Sequence, residues 1–561
     1  MLDIIETKNL TFSYPETEEP ALKDLTVSVP KGSFVLLCGP SGCGKTTFLK
    51  LLKPELSPHG ERTGSALYEG EEVRNLDLRT SASRIGFVMQ DPEAQIVTDE
   101  VWHELAFGLE NLGVDQAELR QRVGEMANYF GIASWYHKKT VSLSGGQKQM
   151  LNLASVMVMG PEILLLDEPT AQLDPIAAEQ FISTLQKLNR DLGVTIILSE
   201  HRLEEIFPIA DRVLVLDGGR CAAFDKPGEV CRKLSSSRLF SCFPTAARVY
   251  AGLNGRDSEV PVSVRDGRKW LEKNIQSGYL KLKHGKAAKL CEKETEPALT
   301  LHNVWFRYDR MLPDVLSDMN VTFDKGALTA ILGGNGVGKT TALLVMAGLL
   351  KPYRGHIKWM GKPISSYRSG DRHQGFVSML PQNPGLVFVK DRVIDDWKEM
   401  IHGLHAEEIR LLCSQTAASF GISEKLLTRN PADLSGGELQ KCALAKIMLG
   451  APSILLLDEP TKGLDALSKE QLSAFLREKT KEGLTIVMVT HDVEFAAETA
   501  DRCMLAFDGN LLSSGTPKTF FSKNRFYTTA ASRMSKGFMD DAVTVSDICR
   551  NLESAGNDHD A

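Results

Sequence analysis

Short apolar runs alternate with helical patterns along most of this chain. Residues 33–39, SFVLLCG, and 327–334, ALTAILGG, are rich in β-forming side chains and end in glycine, and a helical stretch follows each of them. Apolar runs of this length fit buried strands, so the alternation predicts a βα organisation around mainly parallel sheets. No apolar run approaches the roughly 18 residues that cross a bilayer. If the protein works at a membrane, we therefore expect another chain to supply the span.

The same order of motifs occurs twice. The repeated segments are GPSGCGKTT (39–47) and GGNGVGKTT (333–341), LSGGQ (143–147) and LSGGE (434–438), ILLLDEPT (163–170 and 454–461), and TIILSEH and TIVMVTH, which end at His201 and His491. The offset between the two copies is 294 residues from Lys45 to Lys339, 291 from Glu168 to Glu459 and 290 from His201 to His491. A nearly constant offset indicates a duplicated domain and not scattered matches.

Shorter segments extend the duplication beyond each domain. TAAR (245–248) and PVSVRDGRKWL (261–271) follow the first copy, and TAASR (529–533) and AVTVSDICRNL (542–552) follow the second. Between the copies lies a stretch rich in lysine and glutamate, which we predict to be a solvated, flexible linker. The predicted organisation is a first domain at 1–240, its appendix at 241–271, the linker at 272–297, a second domain at 298–520 and a C-terminal appendix at 521–561.

Composition narrows the classes of function. A chain of 561 residues is too long for a single core, and its 42% hydrophobic and 24% charged residues are ordinary for a globular protein. The formal net charge of -7 gives no electrostatic reason to expect a nucleic-acid partner, and none is predicted. The ten cysteines show no CxxC pair or metal-ligand spacing, which favours reduced, mostly buried thiols.

Each glycine-rich segment is typical of a loop that wraps a nucleotide phosphate. Its glycines allow the backbone amides to point inward, and the following helix turns its positive end towards the anion. Lys45 and Lys339 are predicted to reach the β- and γ-phosphates, and Thr46 and Thr340 to bind Mg²⁺. The candidate nucleotide contacts are Gly39, Pro40, Ser41, Gly42, Cys43, Gly44, Lys45, Thr46 and Thr47 in the first loop and Gly333, Gly334, Asn335, Gly336, Val337, Gly338, Lys339, Thr340 and Thr341 in the second.

The repeated ILLLDE segment supplies carboxylates at the end of an apolar strand. Asp167 and Asp458 are predicted to lie beside the metal, and Glu168 and Glu459 to polarise the attacking water. Phosphoryl transfer requires mainly positioning and charge stabilisation, which these groups provide. Because both copies keep the loop, the strand and the acidic pair, we predict two hydrolytic sites.

With a phosphate loop before them and DEPT after them, LSGGQ and LSGGE resemble the signature of the ATP-binding-cassette (ABC) family. The resemblance covers nearly all of 1–520. It implies an α/β fold with two P-loop NTPase (RecA-like) nucleotide-binding domains in tandem, each with a β subdomain and a helical signature subdomain, and it implies ATP and Mg²⁺ as cofactors. By the family pattern, Gln90 and Gln382 link the metal to the partner, Asp174 and Asp465 belong to the D-loop, His201 and His491 contact the γ-phosphate, and Tyr14 and Tyr308 stack on adenine.

The signature also predicts how the cassettes use ATP. A Ser-Gly-Gly run that opens a helix is a second anion site, useful only if it faces the phosphate held by another loop. The two cassettes are therefore expected to close head to tail on two ATP molecules, with Lys45 opposite Ser435 and Lys339 opposite Ser144. Glu438 replaces the usual glutamine and can weaken the site shared with Lys45. The signature contacts are Ser144, Gly145, Gly146 and Gln147 in one copy and Ser435, Gly436, Gly437 and Glu438 in the other.

Further segments resemble the ATPases of energy-coupling-factor importers. These segments are DPEAQIVTDEVWHELAFGLENLG (91–113), SEHRLEE (199–205), PVSVRDGRKWL (261–271), DEPTKGLDA (458–466) and FYTTAASRM (526–534). The resemblance implies a motor for uptake of a vitamin or of cobalt and nickel ions, bound at the cytoplasmic face of the cell membrane to a transmembrane scaffold subunit and a substrate-binding membrane subunit. Residues 91–113 would form a groove for the scaffold's coupling helices, unless their apolar side chains only pack internally. The second copy, at 382–400, lacks the acidic-AFG stretch, so the two halves are expected to grip a scaffold differently.

Other paired cassettes remain alternatives. A ribosome-associated translation factor carries a long helical linker, whereas prolines and glycines interrupt the region between these cassettes at Pro244, Gly252, Gly255, Pro261, Gly267, Gly278, Gly285 and Pro297. The motifs alone do not clearly distinguish the ATPase of a sugar importer from that of an energy-coupling-factor importer. An exporter motor is less expected, because the chain fuses two cassettes without spans.

Overall fold

The computed structural model describes residues 3–15, 17, 19–283, 296–367, 375–401, 403–525 and 527–554. The chain divides into two compact units, Met1–Gly267 and Arg268–Ala561. None of the described helices is long and apolar enough to cross a membrane.

The described residues of the first unit form ten strands and the helices that cover them. Its strands are β1 (Asp3–Ser13), β2 (Leu22–Pro30), β3 (Phe34–Cys38), β4 (Glu61–Tyr68), β5 (Glu71–Glu72), β6 (Ile85–Val88), β7 (Ile163–Asp167), β8 (Thr195–Ser199), β9 (Arg212–Asp217) and β10 (Arg220–Asp225). Its helices are α1 (Lys45–Leu51), α2 (Leu78–Arg84), α3 (Pro92–Gln95), α4 (Val101–Asn111), α5 (Gln116–Tyr129), α6 (Gly145–Met157), α7 (Pro175–Leu192), α8 (Leu203–Ile206), α9 (Pro227–Lys233), α10 (Thr245–Gly252) and α11 (Val264–Gln276), which begins in the sequence of this unit and ends in that of the second.

Two sheets and a helical subdomain build the first unit. The six-stranded sheet has the order β10-β9-β3-β8-β7-β6 and is parallel except for β10. Every residue of β3, β7 and β8 is buried, as parallel strands covered on both faces require. The second sheet, β2-β1-β4-β5, is antiparallel, and its apolar side chains share a core with Phe48 and Leu49 of α1. Helices α4, α5 and α6 pack around a separate core that includes Leu105 and Leu151.

Local signals in the sequence set the ends of α7, the longest of the described helices. Its N-cap Asp174 accepts a hydrogen bond from the N–H of Ala177 at 2.9 Å, and Pro175 occupies the first helical position. Gly193 ends the helix in the left-handed conformation, with φ of 68°, which glycine adopts without steric cost. The D-loop residue of the family pattern is therefore also the residue that starts this helix.

The second unit repeats the architecture. Its strands are β11 (Leu280–Leu282), β12 (Pro297–Phe306), β13 (Leu316–Asp324), β14 (Leu328–Leu332), β15 (Arg354–Trp359), β16 (Lys362–Pro363), β17 (Val377–Leu380), β18 (Ile454–Asp458), β19 (Thr485–Val489), β20 (Arg502–Phe507), β21 (Asn510–Gly515) and β22 (Leu552–Ser554). Its helices are α12 (Lys339–Met346), α13 (Val393–Glu399), α14 (Ala406–Ser419), α15 (Glu424–Leu427), α16 (Gly436–Leu449), α17 (Ala466–Lys481), α18 (Val493–Thr499), α19 (Pro517–Lys523), α20 (Ala530–Ser535) and α21 (Val545–Asn551). The sheet orders are β17-β18-β19-β14-β20-β21 and β13-β12-β15-β16. The predicted βα organisation around parallel sheets is thus confirmed in both units.

Ordered structure reaches into the segment predicted to be a flexible linker. Helix α11 continues to Gln276, and β11 pairs antiparallel with β22 near the end of the second unit, where Leu280 and Leu552 are buried. Residues 284–295 of the predicted linker lie outside the described residues, as do Phe526 and residues 555–561 of the predicted C-terminal appendix. The predicted domain boundaries otherwise stay predictions.

Candidate active sites

The predicted chemical groups of each copy lie at one edge of its parallel sheet. In the first unit the glycine-rich loop follows β3, Asp167 ends β7, and His201 comes shortly after β8. These three strands are direct neighbours, so their carboxyl ends meet at the same edge, where parallel sheets bind ligands. In the second unit β14, β18 and β19 place the corresponding groups in the same way.

The glycine-rich loop of the first unit folds back on its lysine. Gly39 has φ of 148°, and a Cβ atom there would lie 2.2 Å from the carbonyl oxygen of Leu216, so only glycine fits. The buried Lys45 donates from Nζ to the carbonyl oxygens of Gly39 at 3.0 Å and Pro40 at 3.2 Å. The ammonium group is therefore held inside the loop that is predicted to receive the phosphates.

The second loop repeats this geometry. Lys339 is buried and donates to the carbonyl oxygens of Gly333 at 2.9 Å and Gly334 at 2.7 Å. The left-handed Gly338, with φ of 92°, precedes α12, as Gly44 with φ of 102° precedes α1. Helix α12 therefore starts at its lysine, as α1 does.

Both tyrosines predicted to stack on adenine form a hydrogen bond with the helix that follows the glycine-rich loop, α1 or α12. The hydroxyl of Tyr14 lies 3.0 Å from Thr47 Oγ1, and that of Tyr308 lies 3.1 Å from Thr341 Oγ1. Tyr14 and Tyr308 each meet a neighbouring phenylalanine edge to face and remain exposed by 36% and 58%. Each ring therefore sits beside a phosphate loop with open surface, although adenine stacking itself stays a prediction.

The aspartates predicted to bind the metal are buried in different surroundings. Asp167 accepts a hydrogen bond from Ser199 Oγ at 2.8 Å, and Thr46 also bonds to it. Burial raises the pKa of Asp167, and the bonds from Ser199 and Thr46 oppose that rise. Asp167 Oδ1 therefore already accepts a hydrogen bond from the Ser199 hydroxyl before any cation binds.

Asp458 lacks the equivalent of Ser199, because Val489 ends its neighbouring strand. Burial raises the pKa of Asp458, and the bond from Thr340 opposes the rise. Within the part of the chain that the structure describes, the buried Oδ1 of Asp458 has no hydrogen-bond partner. Buried carboxylate and hydroxyl oxygens are the ligands that Mg²⁺ prefers, so Thr46 with Asp167 and Thr340 with Asp458 fit the predicted metal.

Glu168 is brought together with the other catalytic candidates of the first unit. Its backbone is left-handed, with φ of 44°, and its N–H donates to the carbonyl oxygen of Ser199 at 3.1 Å and to Ser199 Oγ at 2.9 Å. Its Oε2 accepts from Gln90 Nε2 at 3.0 Å, and its Oε1 lies 2.8 Å from His201 Nε2. A carboxylate held between an amide and an imidazole can orient and polarise a water molecule.

Glu459 also has a left-handed backbone, with φ of 50°, but its carboxylate has other partners. Its Oε2 accepts from the backbone N–H of His491 at 3.1 Å, and its Oε1 lies 3.3 Å from His491 Nε2. The same Nε2 lies 3.2 Å from Lys339 Nζ and 2.9 Å from the amide oxygen of Asn335. Gln382 follows β17 and is exposed. The second site therefore joins its histidine directly to the phosphate loop.

The two signature turns cap their helices with different chemistry. Ser144 caps α6, and its N–H donates to Gln147 Oε1 at 3.0 Å. Ser435 caps α16, but its hydroxyl donates to Glu438 Oε2 at 2.7 Å, and its N–H donates to the same oxygen at 2.9 Å. A carboxylate at this helix end occupies the positive potential that an incoming phosphate needs. This geometry gives a physical reason to expect weaker phosphate binding at the second signature turn.

Sequence reasoning did not single out a pair of buried acids that hold the turn after each glutamine. Glu104 accepts from the N–H of Val97 at 3.1 Å and Thr98 at 2.7 Å. Asp396 accepts from the N–H of Val389 at 3.1 Å and Lys390 at 2.9 Å. Both acids are the fourth residue of the next helix, α4 or α13, so an alignment of the two copies could have found them.

The buried Oδ1 of Asp458, for which the described residues offer no hydrogen-bond partner, gives the first prediction. Asp458→Asn should raise the melting temperature of the nucleotide-free protein by a few degrees, since a neutral amide removes a buried charge, a change of about 0.5–2 kcal/mol. Because the folded pKa is raised, the gain should be full at neutral pH and should shrink as the pH falls towards about 4. Differential scanning calorimetry checks this. Asp167→Asn is the matched control and should gain less, because Ser199 already bonds its carboxylate. A lowered melting temperature for Asp458→Asn contradicts the interpretation.

Comparisons with known proteins agree with the duplicated architecture. Residues 22–171 and 316–462 each match the family described as ABC transporter. The chain is 41% identical over 550 residues to a provisionally named ABC transporter ATP-binding protein of Bacillus anthracis, covering 97% of this chain and 98% of that protein. A relative of the same description from Methanosarcina acetivorans is 34% identical over 547 residues, with 91% of this chain and 84% of that protein covered. Among solved structures, cbiO1 from Clostridium perfringens, described as part of the ABC transporter complex cbiONQ, is 30% identical, and the match covers 41% of this chain and 92% of that chain with a TM-score of 0.38.

Proposed function

This chain belongs to the ABC transporter family and carries two of its ATPase cassettes, and from that premise we propose that it is the motor of a membrane importer of the energy-coupling-factor type. The predicted family, α/β fold and ATPase activity are confirmed by the two family matches and by relatives that align over nearly the whole chain. In the proposal, ATP-driven closure of the two cassettes drives a transmembrane scaffold at the cytoplasmic face of the membrane. The cargo is a vitamin or cobalt and nickel ions, delivered by a substrate-binding membrane subunit.

Each cassette supplies the groups that hydrolysis needs. The loop lysine and the helix that follows it bind the phosphates, and the glutamate after the buried aspartate orients the water. Gln90 and His201 hold Glu168 from two sides, so the carboxylate is fixed before the water attacks. When bound, Mg²⁺ held by Thr46 and Asp167 would neutralise charge that develops on the phosphate oxygens.

An exposed valine on each helical subdomain carries the proposal of a transmembrane partner. Val97 is 67% exposed and Val389 is 84% exposed, although a buried carboxylate fixes the backbone N–H of each one. The two valines hold the same place relative to their helices, four residues before α4 and α13. A branched apolar side chain displayed on a fixed turn is suited to an apolar helix of another protein, because its burial gains hydrophobic free energy without loss of backbone freedom.

The rest of the importer-like stretch packs inward. Leu105 and Ala106 of α4 are buried, and a Cβ atom at Gly108 would lie 2.9 Å from Met159 Sδ. Leu105 and Ala106 therefore belong to the core of the helical subdomain, while Phe107 is only half-buried. Val97 and the partly exposed Trp102 remain for a partner. Leu386 adds a second exposed apolar side chain in the other cassette. Both cassettes therefore present exposed apolar side chains to the proposed scaffold.

The region between the cassettes favours the transporter over a ribosome-bound factor. Among the described residues between the two family matches, the longest helix after α7 is α11, with 13 residues. A helix of that length extends about 20 Å, which is short for a probe that must enter ribosomal RNA.

Val97→Asp and Val389→Asp, introduced separately, test the proposal. Each should reduce recovery of the protein with detergent-solubilised membrane subunits by at least tenfold, because a buried carboxylate without a partner costs several kcal/mol. ATP hydrolysis by the purified soluble protein should stay within about twofold of wild type, since neither valine belongs to an active site. Quantitative mass spectrometry of the affinity-purified complex measures the first effect.

Leu192→Asp is the matched control. Leu192 is 58% exposed at the end of α7, outside the helical subdomain, and its replacement should leave recovery unchanged. Recovery of the wild-type protein with ribosomes and not with a small membrane scaffold would overturn the importer assignment. Recovery with a scaffold that requires an external binding protein would point to a sugar-type importer.

A further inference from the structure

The two active sites differ at the residue just before the histidine. Glu200 precedes His201, and Thr490 precedes His491 at the corresponding place after β19. Glu200 is 2% exposed, which is rare for a carboxylate unless it is well bonded. The simplest interpretation is that Glu200 has a purely structural role and only connects the loops that follow β7 and β8 by hydrogen bonds.

The hydrogen bonds of Glu200 connect the catalytic loop to the histidine. Its Oε1 accepts from the N–H of Thr170 at 3.0 Å and from Thr170 Oγ1 at 2.5 Å. Its Oε2 accepts from the backbone N–H of His201 at 3.2 Å. Thr170 lies two residues after Glu168, so one buried side chain bonds both segments that hold the catalytic pair.

In the second unit the catalytic glutamate itself binds the equivalent N–H. The backbone N–H of His491 donates to Glu459 Oε2 at 3.1 Å. Thr490 has a shorter side chain, and its hydroxyl lies 3.4 Å from Thr461 Oγ1 and accepts the N–H of Asp492 at 3.0 Å. The corresponding oxygen of Glu168 instead accepts from the side chain of Gln90.

We propose that Glu200 is a positioning residue that keeps the first active site assembled. By accepting the N–H of His201, it leaves the carboxylate of Glu168 to the side chains of Gln90 and His201. Thr490 stands in place of this group in the second site, and the carboxylate of Glu459 itself accepts the backbone N–H of His491. The two cassettes therefore hold their catalytic glutamates through different hydrogen bonds. The inference depends on the ATPase activity and not on the importer assignment. It therefore still holds if the proposed membrane partner proves wrong.

Glu200→Thr tests the inference by giving the first site the residue of the second. It is introduced beside Glu459→Gln, so that the first site is the source of hydrolysis. We expect kcat to fall about tenfold while the KM for ATP changes less than twofold, because the carboxylate is misplaced but the phosphate loop is intact. Thr184→Ala, on the exposed face of α7, serves as the background control.

Two further measurements separate positioning from general damage. Glu200→Thr beside Glu168→Gln reports on the second site, and a similar tenfold fall there would overturn the proposal. A crystal structure of Glu200→Thr provides a readout that does not depend on turnover. We expect Glu168 to accept the N–H of His201, as Glu459 does with His491. A Glu168 that keeps its bond to Gln90, together with unchanged kcat, means that Glu200 only ties the loops.

Discussion

Glu168→Gln and Glu459→Gln introduced together should lower steady-state ATP hydrolysis by about two to four orders of magnitude, the range attributed to general base catalysis. Glutamine keeps the shape of each side chain but removes the charge that is predicted to polarise water. Because Lys45 and Lys339, the predicted phosphate ligands, are unchanged in this variant, ATP binding should persist. Phosphate release and equilibrium binding of radiolabelled ATP measure the two effects.

The single variants decide whether both sites hydrolyse ATP. Each one should lower turnover clearly, and a single replacement that leaves turnover untouched contradicts the prediction of two hydrolytic sites. Glu162→Gln is the matched control, because Glu162 directly precedes β7 and forms ion pairs with Lys31 and Arg84 away from the catalytic pair. It should leave ATP hydrolysis unchanged.

Lys446→Met should destabilise the helical subdomain of the second cassette by roughly 3–5 kcal/mol, the cost of leaving one partner of a buried ion pair uncompensated. Lys446 Nζ donates to Asp396 Oδ1 at 2.7 Å and also to the carbonyl oxygen of Val387. The side chains are 10% and 1% exposed, so water screens the remaining carboxylate poorly. Because a chain with two units need not unfold in one step, hydrogen exchange of peptides from α13 and α16 is the suitable measurement.

The first cassette provides the control for this ion pair. Ser155 stands at the position of Lys446, and its hydroxyl only donates to the carbonyl oxygen of Leu151. Ser155→Ala should therefore cost less than about 1 kcal/mol. Asp396→Asn combined with Lys446→Met should recover part of the lost protection, since no lone charge remains. Protection in Lys446→Met that matches wild type contradicts the assigned role.

The strongest sequence predictions concern groups fixed by local order. The glycine-rich loops, the Asp-Glu pairs and the histidines each follow a short apolar strand, and adjacent parallel strands bring such ends together. The family resemblance added Gln90 and a role for His201, and the structure places these two side chains on either side of Glu168. Contacts of these residues with ATP and Mg²⁺ stay predictions.

The sequence did not reveal which of several possible hydrogen-bond partners a side chain selects in the active sites. Whether Glu200 or Glu168 accepts the N–H of His201 is decided by side-chain rotamers in the fold, which no spacing rule specifies. The pairing of β11 with β22 joins very short strands far apart in the chain, and such segments carry little periodic signal. The charged composition near 272–283 therefore predicted a linker where the fold has a helix end and a strand.

The contact between His491 and the second phosphate loop bears on how that cassette tells ATP from ADP. The imidazole already lies against Lys339 and Asn335, at the end of the loop where a third phosphate is predicted to lie. A triphosphate must displace this internal ligand, whereas a diphosphate can bind and leave the contact in place. If the γ-phosphate binds where it is predicted to lie, His491 exchanges its contacts inside the protein for a contact with the nucleotide, and the imidazole can return to Lys339 and Asn335 once that phosphate has left.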